Sequence, residues 1–334
     1  MLRQSRIWQL RKNFSTLSDE YIMNVFDRKA KYLQRERAAQ ADNVELYDYL
    51  KDEVGFRLAD RVSDIKRLFK TAADIGCNRG FISKHLLPDS VEKLILCDMS
   101  HTNLKIASNF KENVTEIKEQ VLDEEFIEFE ENSLDLVISN LSLHWVNNLP
   151  QAFHNILRAL KNDGVFMAAV FGGDTLFELR SSLQLAELER KGGISAHISP
   201  FTEIRDIGRL LQKAGFTMLT IDVDEIVVHY PSIFELMWDL KGMGENNAAR
   251  NRTLHLSRDT QLAAAAIYQQ LYGIKSPETT DIKVPATFQI IYMLGWKPDA
   301  SQPKPLERGT GKISLKDLHR LDEIIKEKKN LEID

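Results

Sequence analysis

The stretch Asp74-Ile75-Gly76-Cys77-Asn78-Arg79-Gly80 joins a short apolar run to an amphipathic one. Glycines in a strand-to-helix turn permit a tight reversal and let the backbone approach a ligand closely. The helix start beyond such a turn presents free amide donors. Asp98 closes the next apolar run, at the separation of about 20 residues where an acidic side chain can accept from both hydroxyls of a ribose. Asp123-Glu124 supplies further acid, and the run Asp135-Leu136-Val137-Ile138-Ser139-Asn140 ends on an amide beside the same place. These residues could cradle a nucleoside-bearing ligand. The glycine turn alone would also suit a nicotinamide dinucleotide.

Alternating strands and helices must position these groups. Leu50, Val54, Leu58, Val62 and Ile65 recur at helical spacing within 47–69, after a Lys- and Arg-rich helical stretch in 20–40. Strands are expected at 72–75, 94–97, near 122, at 134–139 and at 165–171, with helices at 81–87 and 149–160 between them. Ser100 is placed to cap a helix. Farther on, the patterns predict a helix at 202–214 ending at Gly215, a strand at 217–228, mostly helix over 232–273 and a last strand at 288–296. Such alternation implies a parallel sheet covered on both faces. The expected division is a transit peptide at 1–18, a helical segment at 19–70, the main domain at 71–297 with a helical insertion near 232–273, and a mobile tail at 298–334.

Composition narrows the classes. Of the 334 residues 43% are hydrophobic and 28% charged, an ordinary globular balance. The net charge of -5 and the lack of a dense basic block outside the two ends argue against nucleic acid as partner. Cys77 and Cys97 are the only cysteines, which excludes a disulfide framework and a Cys-rich metal site. Arg3, Arg6, Arg11 and Lys12, interleaved with Leu2, Ile7, Trp8, Leu10 and Phe14 and with no acid before Asp19, have the composition of a mitochondrial transit peptide.

The turn resembles the class I S-adenosylmethionine-dependent methyltransferase loop, Asp-x-Gly-x-Gly-x-Gly, with Asn78 where the middle glycine is expected. Asn tolerates positive φ better than most residues. The resemblance implies a Rossmann-like α/β fold, a mostly parallel seven-stranded sheet with helices on both faces, and S-adenosyl-L-methionine as cofactor. It implies cofactor contacts from Asp74, Gly76, Cys77, Asn78, Gly80, Asp98, Met99, Asp123, Glu124 and Asn140, with an acid at 123–124 approaching the adenine amino group.

Leu141-Ser142-Leu143-His144-Trp145-Val146 is similar to the branch containing the malonyl-carrier-protein O-methyltransferase of biotin synthesis. Phe171-Gly172-Gly173-Asp174-Thr175-Leu176, His197-Ile198-Ser199-Pro200-Phe201, Met243-Gly244-Glu245-Asn246-Asn247-Ala248 and Val284-Pro285-Ala286-Thr287-Phe288-Gln289 resemble one eukaryotic family. That family is the mitochondrial complex I assembly factor 5 arginine hydroxylases. It implies a matrix enzyme, peripheral to the inner membrane, that hydroxylates an arginine of a matrix-arm complex I subunit and meets other assembly factors. No short spacing of the iron-binding kind joins His144, His197 and His229, so the oxidant and any metal are not identified by sequence. His144 follows the fourth strand, where it could act as base, orient substrate or merely fix a loop. Asp174 could meet a guanidinium or cap a helix, and His197 could be catalytic or hold its loop. Asp174 and Glu178, one helical turn apart, together with Glu245, are the expected acids for a cationic substrate. Methyl transfer to a protein or small carboxylate, and a non-catalytic assembly role, stay open as alternatives.

Overall fold

The computed structural model describes residues 24–110, 114–275, 282–304 and 308. The expected transit peptide at 1–18 lies outside them. The chain clusters into a unit that ends at Pro298 and a second that begins at Asp299.

In the first unit, helix α1 (Arg28–Ala39) is capped by Asp27, which accepts from the Ala30 amide, and α2 spans Tyr49–Ser63. The strands are β1 (Phe69–Ile75), β2 (Val91–Asp98), β3 (Glu116–Val121), β4 (Leu134–Asn140), β5 (Leu160–Phe171), β6 (Thr217–Tyr230), the two-residue β7 (Ile274–Lys275) and β8 (Ile282–Trp296). The remaining helices are α3 (His101–Ala107), α4 (Leu149–Ala159), α5 (Phe177–Lys191), α6 (Ile204–Ala214), α7 (Ile233–Gly242) and α8 (Arg258–Tyr272).

The sheet runs β3-β2-β1-β4-β5-β8-β6, with β7 paired to β8. β3, β2, β1, β4 and β5 are parallel, while β8 is antiparallel to both neighbours, β5 and β6. This is the class I methyltransferase arrangement that the motifs imply. The direction reverses at β1, with β2 on one side and β4 on the other, so their carboxyl ends open a crevice where ligands bind in α/β sheets. Asp98 and Asn140 end β2 and β4, and the glycine turn follows β1.

Alternation along the central strands feeds two cores. Leu136, Ile138, Met167 and Ala169 pack with Leu50, Val54 and Leu58 of α2 on one face. Val137, Phe166, Ala168 and Val170 pack with Phe153 and Ile156 of α4 and Ile207 and Leu211 of α6 on the other. Strands buried on both faces read as unbroken apolar runs, which is why β1, β4 and β5 were visible in sequence.

One expectation needs correction. Residues 81–87 form turns rather than a helix, with the Lys84 amide donating to the Gly80 carbonyl and the His85 and Leu86 amides to the Ile82 carbonyl. Pro88 disfavours the α region for Leu87 before it, so the turns cannot extend into a longer helix. The 232–273 stretch is two helices separated by 243–257, where Gly244 takes φ +74. The helical segment expected at 19–70 supplies α1 and α2, in the same compact unit as the sheet.

Candidate cofactor cleft and substrate cavity

The turn after β1 is built as the residue types require. Gly76, Asn78 and Gly80 all have positive φ, at 70°, 50° and 81°. A Cβ on Gly76 would lie 2.0 Å from Ser142 Oγ and 2.8 Å from Glu124 Oε1, so only glycine brings the β1 turn against these two side chains. The Gly76 and Cys77 amides both donate to the Cys97 carbonyl, at 2.8 and 2.9 Å, which fastens the turn to the end of β2. Asn78 Nδ2 donates to the Gly76 carbonyl at 2.9 Å, so its side chain supports its own left-handed backbone.

Asp98 is fully buried. Its carboxylate accepts from the Asn78 amide at 3.0 Å and the Ser100 amide at 2.7 Å. Ser100 caps α3, accepting from the Asn103 amide at 3.1 Å. Burial pushes the Asp98 carboxyl up, against the lowering influence of Arg35. Its two oxygens offer more lone pairs than two amides consume, so capacity for hydroxyl donors is left. Asp74 is also fully buried and neither oxygen finds a donor among the described residues; burial, aided by Asp98, raises its pKa to about 8, so it is protonated at neutral pH. Asn140 donates from Nδ2 to the Lys51 carbonyl at 2.8 Å, while its Oδ1 has no donor among the described residues. Met99 and Cys77 are buried beside the turn, and burial drives the Cys77 thiol up, away from thiolate.

Across these groups lies α1, and its inward face is ionic. Arg28, Lys31 and Arg35 stand at i, i+3 and i+7, the spacing that usually carries an apolar stripe. Arg28 donates to Asp123 Oδ1 at 2.7 Å and to the Trp145 carbonyl at 3.1 Å, and pairs with Glu124. Arg35 pairs with Glu124 and donates to Ser142 Oγ at 2.8 Å. Burial works to raise the Glu124 carboxyl, but Arg35 and Arg28 hold it down at about 2. Lys31 donates to the Gly244 and Asn246 carbonyls, both at 3.0 Å, and its ammonium sits 3.4 Å from the centre of the Trp145 ring. On the next side of the helix Glu36 accepts from Ser100 Oγ at 2.6 Å and from Thr102. Asp98, Glu124 and Asn140 are closed from solvent.

Sequence reasoning missed Arg28, Lys31, Arg35 and Lys51. The signal was the three-to-four-residue spacing of the cations, but a Lys/Arg stripe on a helix is ordinarily a solvated face.

Glu245 joins this cleft to a second space. Its Oε1 pairs with Lys51 at 2.6 Å, its Oε2 accepts from Trp145 Nε1 at 2.8 Å, and His144 Nε2 lies 3.5 Å from Oε2. Burial would raise the Glu245 carboxyl, yet Lys51, His144 and Lys31 keep it well below the usual range. His144 is ringed by Trp145, Phe171 and Phe201 at centroid distances of 5.2, 4.7 and 5.7 Å. At 3.5 Å the Glu245 contact is too long for a well-formed hydrogen bond, and burial drives the imidazole down to about 4, so it is neutral. Beyond Glu245 opens a cavity of about 380 Å³, walled by Trp145, Leu179, His197, Phe201, Met237 and Asn247 among others.

His197 borders this cavity and is fixed by Glu187 Oε2, 3.0 Å from Nε2. The other two acids expected at its mouth are elsewhere. Leu176, in left-handed conformation at φ 55°, precedes α5, so Asp174 lies outside the helix and neither caps it nor shares a face with Glu178. Asp174 Oδ2 accepts from Gln289 Nε2 at 3.0 Å. Glu178 is buried against β8, where it accepts from the Thr287 amide and hydroxyl. Among the described residues no cluster of three or more His, Cys, Asp or Glu is arranged to hold a metal ion.

Comparison with known proteins gives this geometry its relatives. Residues 73–168 match the methyltransferase domain family. The chain is 50% identical over 320 residues to "Arginine-hydroxylase NDUFAF5, mitochondrial" of Danio rerio, covering 96% of this chain and 95% of that one. It is 50% identical over 303 residues to the protein of the same name from Homo sapiens, covering 91% and 86%. A malonyl-[acyl-carrier protein] O-methyltransferase of Methylovorus sp. is 31% identical over 263 residues, covering 77% and 85%.

Proposed function

The chain belongs to the family of mitochondrial NDUFAF5 arginine hydroxylases, and from that premise we propose that it hydroxylates an arginine of a matrix-arm complex I subunit, with S-adenosylmethionine bound in the cleft under α1. It acts in the mitochondrial matrix, peripheral to the inner membrane and beside other assembly factors.

The observation that carries this reading is the shared wall. Glu245 touches Lys51 on the cleft side and Trp145 on the cavity side, so the two compartments meet at one carboxylate. The cleft suits the cofactor in type: Asp98 for the ribose hydroxyls, Glu124 and Asp123 toward the adenine, and the Gly76 turn for close backbone approach. Asp74 and Asn140 Oδ1 contribute polar atoms without partners among the described residues. The cofactor brings a sulfonium centre flanked by an adenosyl and an amino-acid arm. The cavity suits an arginine, whose apolar stem fits against Leu179 and Met237 while its planar guanidinium stacks on aromatic faces such as Trp145 and Phe201. His144, neutral and buried, can accept a proton at the junction. The oxidant that hydroxylation needs is not among these side chains and has to be supplied.

The methyltransferase domain match and the 31% relative favour a second reading, methyl transfer on the same cleft. Incubating the purified protein with the subunit and S-adenosylmethionine, then weighing its arginine peptides, separates the two. A gain of one oxygen supports hydroxylation; a gain of one methylene, or no change under aerobic reducing conditions, removes it.

A further inference from the structure

The cavity beyond Glu245 has a rim of the wrong sign for an isolated arginine. Among its described wall residues Lys241 and Arg252 are cationic, and Glu245 is the one acid. Glu245 is already engaged by Lys51 and Trp145. Arg252, Thr253, Leu254 and Leu256 of the wall lie on one loop, and residues 250–258 hold Arg250, Arg252, His255 and Arg258 with no acid. In a chain of net charge -5 that stretch is a local reversal of sign.

The loop is held in place without being neutralised. Arg252 pairs with Asp27 at 3.2 Å, donates to the Ala249 carbonyl at 2.8 Å, and its backbone bridges to Ala196. Thr253 Oγ1 lies 3.3 Å from Ser195 Oγ, while Glu187 is engaged by Ser195 and His197. Arg250, Arg258 and Lys241 are exposed and form no ion pair among the described residues; the Lys241 ammonium lies 4.8 Å from the centre of the Trp238 ring. Asp259, also exposed, follows Arg258 at the start of α8. Leu254 stands on the same loop, 89% exposed. Exposed cations keep their hydration, and their field acts on whatever approaches within about 8 Å at physiological salt.

We propose that this loop selects the protein segment that brings the arginine: the segment carries carboxylates beside that arginine, and they dock on Arg250, Arg258 and Lys241. The inference rests on the reading of the cavity as an arginine site and adds the sequence context that the site accepts. The aromatic walls are neutral and can stack a guanidinium, but a cation must first pass a rim of its own sign. Acids on either side of the arginine offset that repulsion, and the same rim turns away basic segments. Leu254 offers the segment an apolar contact at the mouth. An anionic bilayer would also be attracted, but seated on this loop it would lie across the mouth of the cavity. The continuity of loop and cavity therefore favours a peptide.

Two synthetic peptides with one central arginine, flanked on both sides by aspartates in one and by lysines in the other, test the proposal on the full chain with S-adenosylmethionine present. By fluorescence anisotropy the aspartate-flanked peptide should bind at least about tenfold tighter, the combined effect of a few rim ion pairs. The gap should narrow as added salt shortens the screening length. In the double variant Arg250→Glu/Arg258→Glu the order should invert, a gain of binding for the lysine-flanked peptide that misfolding cannot produce. Equal affinities in the wild type overturn the proposal, and so does an unchanged order in a folded double variant. A third peptide, aspartate-flanked with glutamine at its centre, isolates the cavity and should bind more weakly than its arginine counterpart. If it binds as well, the arginine reading of the cavity has failed, and the proposal with it. If vesicles of anionic phospholipid are bound by the wild type and not by the double variant, while the two arginine peptides are not distinguished, the loop serves a membrane and the proposal is overturned.

Discussion

The guanidinium of Arg35 and the carboxylate of Glu124 meet fully buried above the turn at Gly76, where a Cβ would stand 2.8 Å from Glu124 Oε1. One partner comes from the first helix and the other from the loop after β3, so the pair ties α1 across the crevice. Because α1 is seated by ions and carbonyls rather than by an apolar stripe, its hold depends on the charges facing it. Amide hydrogen exchange over 28–39 should therefore slow several-fold when S-adenosylmethionine is added and quicken in Glu124→Gln. Exchange that ignores the ligand would show that α1 plays no part in its retention.

Asp98→Ala removes the acceptor expected for the ribose hydroxyls. Hydrogen bonds to a charged group contribute about 1.5–3 kcal/mol, so affinity for S-adenosylmethionine should fall roughly ten- to a hundred-fold. Titration calorimetry measures this directly, and unchanged affinity takes Asp98 out of the site.

Asp74 gives a pH dependence with a definite sign. Its pKa is raised in the folded protein to about 8, above the ordinary carboxyl value of 3.8. The folded state therefore keeps a proton that the unfolded chain gives up, and the stability this provides is complete below the ordinary value and lost as pH rises through 8. Asp74→Asn cannot ionise. Its stability relative to wild type, from urea unfolding, should improve between pH 5 and pH 8. A difference independent of pH would contradict the assignment of a buried, protonated Asp74.

Glu245→Gln tests the shared wall. Lys51 would be left buried without its partner at 2.6 Å, a change that costs about 3–5 kcal/mol where a buried pair is broken on one side. A marked fall in melting temperature is expected together with any loss of modification. Phe201→Leu, at the cavity wall, should impair modification while sparing both stability and cofactor affinity. A Glu245→Gln protein as stable as wild type would mean that Lys51 finds water or another acceptor.

Much of this was legible in the chain because local chemistry and fold agree there. Gly76, Asn78 and Gly80 sit at positive φ as their types suggest, Ser100 caps its helix, and Asp98 faces the turn. The runs of β1, β4 and β5 announce strands buried on both faces. The rest depended on partners distant in sequence. Arg35 and Lys31 read as solvent-facing until Glu124, Ser142, Gly244 and Asn246 are folded around them. Glu178 looked available because nothing in its neighbourhood reveals Thr287, which claims it from β8. The 81–87 pattern is helical in period, but the structure forms only turns there before Pro88.

The central claim is that this cleft serves arginine hydroxylation and not methyl transfer. The direct measurement is the mass of the subunit's arginine peptide after reaction with S-adenosylmethionine carrying a deuterated methyl group. The account predicts a product heavier by one oxygen and free of deuterium. A peptide that carries the deuterated methyl would contradict it.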